Sequence, residues 1–248
     1  MKGVLFGFLH IYAILIAGAM LLSVVYMSRQ EKRLGFPKDT CVDMALWAIP
    51  LGLVGARLYY VAFSWEHYVS DPISILYVHQ GGLAIYGGII GGLLGVWLLS
   101  RRKKLPFQRL LDMAAPAVLM SQAIGRWGNF FNQEAYGNPI TDPRLCFFPY
   151  GVLVDGVWYQ ATFFYESVWD FLGFLLLHSL RKKTKHDGDL VLGYLCWYGT
   201  GRAFIEGLRS DSLYWGGIRV SQVLSIVLAA GALGVLIYRY SRDRRTKA

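Results

Sequence analysis

Residues 73–104 read ISILYVHQGGLAIYGGIIGGLLGVWLLSRRKK, an apolar stretch with no lysine, arginine, aspartate or glutamate until four consecutive basic residues close it. An uncharged stretch of this length crosses about 30 Å of hydrocarbon as a helix. A cluster of lysines and arginines at one end marks the cytoplasmic side. The rest of the chain repeats the pattern. Of its 248 residues, 55% are hydrophobic and only 17% charged, and the mean hydropathy is +0.38. That is too apolar for an ordinary soluble domain, and with 15% aromatic residues and 28 glycines it excludes disorder, a collagen-like repeat and a disulfide scaffold. Cys41, Cys146 and Cys196 stand alone, without a Cys-x-x-Cys pair, and read as small buried apolar side chains.

Unbroken apolar stretches fall at 4–27, 42–64, 73–100, 107–125, 163–180, 190–208 and 219–239. The first is too long for a signal-peptide core and is followed by Arg29, Lys32 and Arg33, with no small-residue cleavage site, so it is expected to stay as a helix. Basic residues occupy alternate connections: Arg29 to Lys38, Arg101 to Lys104, Arg181 to Lys185, and Arg239 to Lys247. The connections near 65–72, 126–162 and 209–218 carry few. The expectation is an all-α polytopic integral membrane protein of seven transmembrane helices, with its N-terminus outside and its C-terminus cytoplasmic. One transmembrane domain over 1–248 is expected, with a small extramembrane outer segment at about 126–162 between helices four and five. The net charge of +9 is then a matter of loop sorting and calls for no nucleic acid.

Charged groups within spans cost about 2.5–3.5 kcal/mol each on insertion scales, so each needs a partner, a wet cavity or a function. In this topology Arg57, Arg126, Asn129, Glu166, Arg202, Glu206, Arg209, Gln80 and Tyr86 all come toward the outer leaflet. Arg202 and Glu206, four apart, can neutralise each other on one helix face. Arg126 has no carboxylate at helical spacing upstream and is followed by Gly128, Asn129, Asn132 and Glu134. A surplus of arginine at lipid-headgroup depth asks for an anion, the obvious one being a phospholipid phosphate. Gly81-Gly82 through Gly95 reads first as a helix-packing face; it lacks the ending of a phosphate loop. Asp43, Asp112 and Asp170 are assigned no chemistry, and His10, His67, His79, His178 and His186 are too scattered for a metal site.

The run Gly125-Arg126-Trp127-Gly128-Asn129-Phe130-Phe131-Asn132-Gln133-Glu134-Ala135-Tyr136-Gly137 closely resembles the signature of the bacterial prolipoprotein diacylglyceryl transferase family. The resemblance extends to Gly55 through Tyr60, Gly81 through Gly88, Thr162 through Glu166, and Gly199 through Asp211. It implies a multi-pass enzyme of the bacterial cell membrane, with its site toward the outer face. The implied reaction moves the sn-1,2-diacylglyceryl group of phosphatidylglycerol to the lipobox cysteine of a preprolipoprotein, forming a thioether and releasing glycerol 1-phosphate, with no metal or organic cofactor. Two positions depart from the family pattern: Tyr86-Gly87-Gly88 stands where many members have His-Gly-Gly, and Gln160-Ala161 where many have His-Pro.

For this reaction the catalytic candidates are Arg126, Arg202, Tyr86 and Glu206, and the candidates for phosphatidylglycerol binding are Arg126, Asn129, Arg202, Arg57, Gly137 and Glu134. Arg126 and Arg202 would bind the phosphate and stabilise the leaving group, with Asn129 as a neutral donor. Glu206 would orient Arg202, and Glu134 would anchor the outer loop or touch substrate. Tyr86 could accept the thiol proton only with its pKa lowered from about 10 by an arginine neighbour. A free cysteine of pKa about 8.5 is only a few per cent ionised at neutral pH, so nearby positive charge helps there as well. Two other classes stay open. A seven-span transporter or receptor with an outer anion vestibule would be expected to show an inverted repeat or paired broken helices, which the chain lacks. A phosphatidylglycerol-using transferase with a different acceptor would share the site.

Overall fold

The structure, a computed structural model, describes residues 4–5, 9–77, 81–209, 214–215 and 218–245. Gln80, Ser210, Asp211, His79 and Lys247, named above, lie outside the described residues, as does the side chain of His10. Among the described residues the chain is mostly helical: α1 (Ile11–Leu34), α2 (Thr40–Phe63), α3 (Ile85–Lys103), α4 (Phe107–Asn132), α5 (Thr162–Leu180), α6 (Asp189–Glu206) and α7 (Val220–Arg245). Three short antiparallel pairs accompany them: β1 (Val4–Leu5) with β2 (Leu9–His10), β3 (Gly151–Val154) with β4 (Val157–Gln160), and β5 (Tyr214–Trp215) with β6 (Ile218–Arg219). Helices α1, α2 and α7 are each long and apolar enough to cross a membrane. Leu46, Ile85, Val227 and Ile237 are among many large apolar side chains left exposed, an arrangement suited to hydrocarbon rather than water.

Each apolar stretch contains the body of one helix, with three instructive differences. Helix α1 starts later than expected and runs past Arg29 to Leu34. Helix α3 begins at Ile85 instead of residue 73, because Gly81 and Gly82 take positive φ (88° and 71°), a conformation helices exclude, and Pro72–Leu76 forms a short 3₁₀ turn. Helix α4 continues to Asn132, so Arg126, Gly128 and Asn129 are helical residues and not part of an outer loop.

The chain divides into two compact units. In the unit Met27–Leu110, α2 and α3 pack backbone to backbone. A methyl group on Gly55, Gly91 or Gly95 would collide with the carbonyl oxygen of Gly87, Leu51 or Trp47, so the close approach requires glycine. Glu31, buried at the end of α1, accepts from the Cys41 amide at 2.6 Å and the Asp39 amide at 3.1 Å, satisfying donors at the start of α2. Asp43 and Lys103 form an ion pair near one end of the helix pair.

In the unit Met1–Tyr26 with Leu111–Ala248, α5 and α6 are joined by Trp169 and Trp197, stacked at 4.5 Å. Each indole donates to the other residue's carbonyl at 2.9 Å. Gly173 and Gly201 make room for these rings: a Cβ at either would strike the facing tryptophan. Helices α1 and α4 are joined by Ser23 donating to the Ala117 carbonyl (3.0 Å) and Ser121 donating to the Ala19 carbonyl (3.1 Å). Asp112 of α4 accepts from the Gly188 and Val191 amides at 2.7 and 2.9 Å, capping the start of α6. Leu119, Leu177 and Leu190 form a core between these helices. The α4–α5 connection carries the β3–β4 hairpin, whose turn at Asp155-Gly156 has positive φ at both residues, as a two-residue hairpin loop demands.

Candidate functional site

Three helix ends of the second unit bring together charges that the sequence holds far apart: Arg202 is 36 residues from Glu166. Glu166, in the first turns of α5 and 6% exposed in its side chain, is the hub. Its Oε2 pairs with Arg126 Nε near the end of α4. Its Oε1 accepts from Arg202 Nη1 at 2.6 Å and faces Arg209 Nη1 at 3.9 Å. Arg202 also binds Glu206 Oε2 at 2.6 Å through Nη2, and Arg219 donates to the Glu206 carbonyl at 2.7 Å. The i,i+4 pairing of Arg202 with Glu206 is therefore real but partial. Arg126, which lacks a carboxylate at helical spacing upstream, finds one across helices.

Buried ion pairs persist where their remaining groups are satisfied. Arg126 leaves an opening: Glu166 engages its Nε, and its two terminal amino groups have no hydrogen-bond partner among the described residues. A guanidinium presents its donors as a rigid fork that matches phosphate and carboxylate. The end of α4 is set by Trp127, whose indole donates to Ser167 Oγ at 3.1 Å while Ser167 donates to the Ala123 carbonyl at 2.8 Å. Phe130, Phe163 and Phe164 pack edge-on against the same indole.

Asn129 and Asn132 both donate to Glu134 Oε1, at 3.0 and 3.3 Å, and the Glu134 amide returns to the Asn129 carbonyl. Glu134 thereby closes the turn after α4, in which Gln133 and Ala135 hold positive φ. Gly137 bridges to Arg209 and its amide donates to the Gln160 carbonyl at 3.0 Å; a Cβ there would press on Gln160 and Thr162. Tyr136 packs beneath this turn against Tyr159. Burial, with Asp155 and Glu134 nearby, pushes its phenol up to about 12, so it stays protonated at neutral pH.

Of the expected site residues, Arg126, Arg202 and Glu206 share the ion cluster, while Asn129, Glu134 and Gly137 shape the turn that follows α4. Arg57 and Tyr86 belong to the other unit. Arg57 is buried, with four of its five N–H donors engaged: Nε donates to Ile75 O (2.8 Å), Nη1 to Gly81 O (2.7 Å) and Gly82 O (3.0 Å), and Nη2 to Ser74 O (2.7 Å). It also lies over the Tyr68 ring. Tyr86, in the first turn of α3, has its ring 6.4 Å from that of Tyr59. Sequence reasoning grouped Glu166 with Arg126, Arg202 and Glu206, with which the structure places it, but gave it no role. The Thr-x-x-Tyr-Glu motif it closes was the available signal.

A family model described as prolipoprotein diacylglyceryl transferase matches residues 5–238. A phosphatidylglycerol–prolipoprotein diacylglyceryl transferase of Enterococcus faecalis is 46% identical, over 98% of this chain and 94% of its own length. Proteins of the same name from Halalkalibacterium halodurans and Bacillus cereus are 44% and 46% identical over 95% of this chain, and over 84% and 90% of their own lengths. The match runs through all seven helices and every residue of the Glu166 cluster, so the chain belongs to the prolipoprotein diacylglyceryl transferase family.

Proposed function

We propose that this protein transfers the diacylglyceryl group of phosphatidylglycerol to the cysteine thiol of a prolipoprotein lipobox, the first step of lipoprotein maturation. It works as a seven-span protein of the bacterial cell membrane, N-terminus outside and C-terminus inside, with the arginine cluster toward the outer face. The observation that carries the reading is Arg126: half-buried, oriented through Nε by Glu166, and with its terminal donors uncommitted among the described residues.

The chemistry is displacement at C3 of the diacylglycerol unit. The C–S bond forms as the C–O bond to phosphate breaks, and the electron pair leaves on the phosphate oxygen. Arg126 and Arg202 hold the phosphodiester and stabilise the charge that grows on it, in a site where water does not screen them. Glu166 and Glu206 fix the guanidinium planes, and the turn held by Asn129, Glu134 and Gly137 borders the entry. Arg57, with donors on four carbonyls, acts by holding Ser74, Ile75, Gly81 and Gly82 in place and not on the phosphate itself.

The test is incubation of the detergent-solubilised protein with phosphatidylglycerol and a lipobox-cysteine peptide, read by mass spectrometry. A diacylglyceryl thioether and free glycerol phosphate, both lost in Arg126→Ala, are expected. Diacylglyceryl transfer to another acceptor, or none, overturns the assignment.

A further inference from the structure

One turn beyond Glu166 on α5 sits Asp170, 2% exposed. Its Oδ2 is buried without a hydrogen-bond partner among the described residues. It interacts electrostatically with Glu166 on its own helix, with Arg126 on α4 and with Arg202 on α6; Tyr194 and Tyr198 face it from α6 as well. No bond of the fold described above uses this side chain. A carboxylate held inside hydrocarbon without a packing or capping task is a functional group by default.

The reaction in the preceding section, on which this inference rests, releases one proton that needs an acceptor. The thiol loses it while the phosphodiester, carrying one negative charge, becomes a monoester carrying two. The two glutamates are poor acceptors: both oxygens of Glu166, and Oε2 of Glu206, are committed to guanidinium groups. Asp170 Oδ2 has its lone pairs uncommitted. We propose that Asp170 is the proton acceptor of the site, taking the thiol proton as the C–S bond forms and the C–O bond breaks.

The charge balance of the cluster fits this role. Arg126, Arg202, Arg209 and Arg219 face Glu166, Glu206 and Asp170, a surplus of one positive charge that the phosphodiester neutralises. When Asp170 becomes neutral the surplus is two, matching the dianion that is leaving. Proton transfer to Asp170 thus adds positive charge to the cluster at the moment the phosphate gains negative charge, and the proton is shed to water after product leaves.

The experiment is the pH profile of kcat for thioether formation with phosphatidylglycerol and a lipobox peptide. Wild type shows an acidic limb of one proton, where Asp170 is already neutral. Asp170→Asn is slowed about 10²–10⁴-fold at neutral pH, and its rate then climbs tenfold per pH unit toward the ionisation of the free thiol near 8.5, because hydroxide replaces the missing base. Asp170→Glu has an acidic limb displaced from that of wild type and regains part of the rate. Three results overturn the proposal: wild type without an acidic limb, Asp170→Asn with wild-type rate at neutral pH, or Asp170→Asn slowed by one factor at every pH. Should Asp170→Asn fail to fold, Asp170→Glu with a limb unmoved from wild type overturns it. Wild type that makes no thioether brings down the proposed function itself, whereas thioether from wild type with a pH-independent loss in Asp170→Asn brings down the proton acceptor alone.

Discussion

Arg57 and Arg126 are both arginines in apolar, glycine-rich helices, and they are held in opposite ways. Arg57 is surrounded by neutral acceptors: Ser74, Ile75, Gly81 and Gly82 turn four carbonyl oxygens toward it, and Tyr68 offers its ring face. Arg126 is held at one edge by the carboxylate of Glu166. The first arrangement uses the guanidinium to tie a short 3₁₀ turn and the Gly81-Gly82 pair before α3 to α2. The second aims a guanidinium and leaves part of its donor fork for something else. An arginine inside a membrane protein is thus classified by what remains of its hydrogen-bonding capacity, not by its depth.

The comparison is broken most directly at Arg126. Arg126→Ala should lower kcat about 10²–10³-fold, the scale for losing an oxyanion donor, with a thermal midpoint in detergent close to wild type. Arg126→Lys keeps the charge but not the planar fork and should recover only a fraction of the rate. If Arg126→Ala instead unfolds the protein with kcat per folded molecule intact, Arg126 is a structural clamp of the Arg57 kind. At Arg57 the expectation reverses. Hydrogen bonds to a charged donor contribute about 1.5–3 kcal/mol each and do not add fully, so Arg57→Met should cost on the order of 3 kcal/mol of stability in denaturant titration, with kcat per folded molecule lowered less than tenfold. A 10²-fold fall in kcat at unchanged stability would put Arg57 on the substrate.

The distinction was invisible in the sequence for a physical reason. Hydropathy integrates over twenty residues and found the body of every α-helix among the described residues, because each is built on a long continuous apolar stretch. Helical spacing finds partners on one helix only, so it saw Arg202 with Glu206 and left Arg126 apparently alone. Glu166 supplies that partner from a helix forty residues away, and Asp170, four residues further along the same face, looked like an unassigned acid. The carbonyls around Arg57 belong to backbone, which carries no residue-type signal at all. The β3–β4 hairpin was more accessible: Asp155-Gly156 between Val152-Leu153-Val154 and Val157-Trp158-Tyr159 is a hairpin turn between strand formers. The division into two compact units leaves no trace in composition, since both are built of the same apolar helices.

Glycine gives a finer version of the same contrast. Gly55 of α2 faces the Gly87 carbonyl and lies so that an added Cβ would be 3.1 Å from Gly91 Cα, whereas Gly231 of α7 has nothing within 4 Å of that position. Gly55→Ala must push α2 and α3 apart and should cost about 1–3 kcal/mol, the usual penalty of overpacking. Gly231→Ala should be neutral or stabilising by up to about 1 kcal/mol through helix propensity. Equal stability of the two variants would mean that the α2–α3 contact is looser than these distances require.

The smallest effect is expected at Tyr86, and it bears on which unit holds the proton acceptor. Tyr86 occupies the position where many relatives carry histidine, which makes it the sequence's natural candidate for a base. In the structure it sits at the start of α3 beside Tyr59, in the unit that contains Arg57 and none of the Glu166 cluster. If Asp170 takes the thiol proton, Tyr86→Phe removes one hydroxyl from a supporting position, and kcat should fall by about threefold or less, the scale of a single neutral hydrogen bond, with the acidic limb unmoved. Loss of that limb in Tyr86→Phe, together with its retention in Asp170→Asn, would transfer the acceptor role from α5 to α3. The histidine-to-tyrosine exchange would then be a change of base, whereas a small loss with an unmoved limb makes it a change of hydrogen-bonding partner.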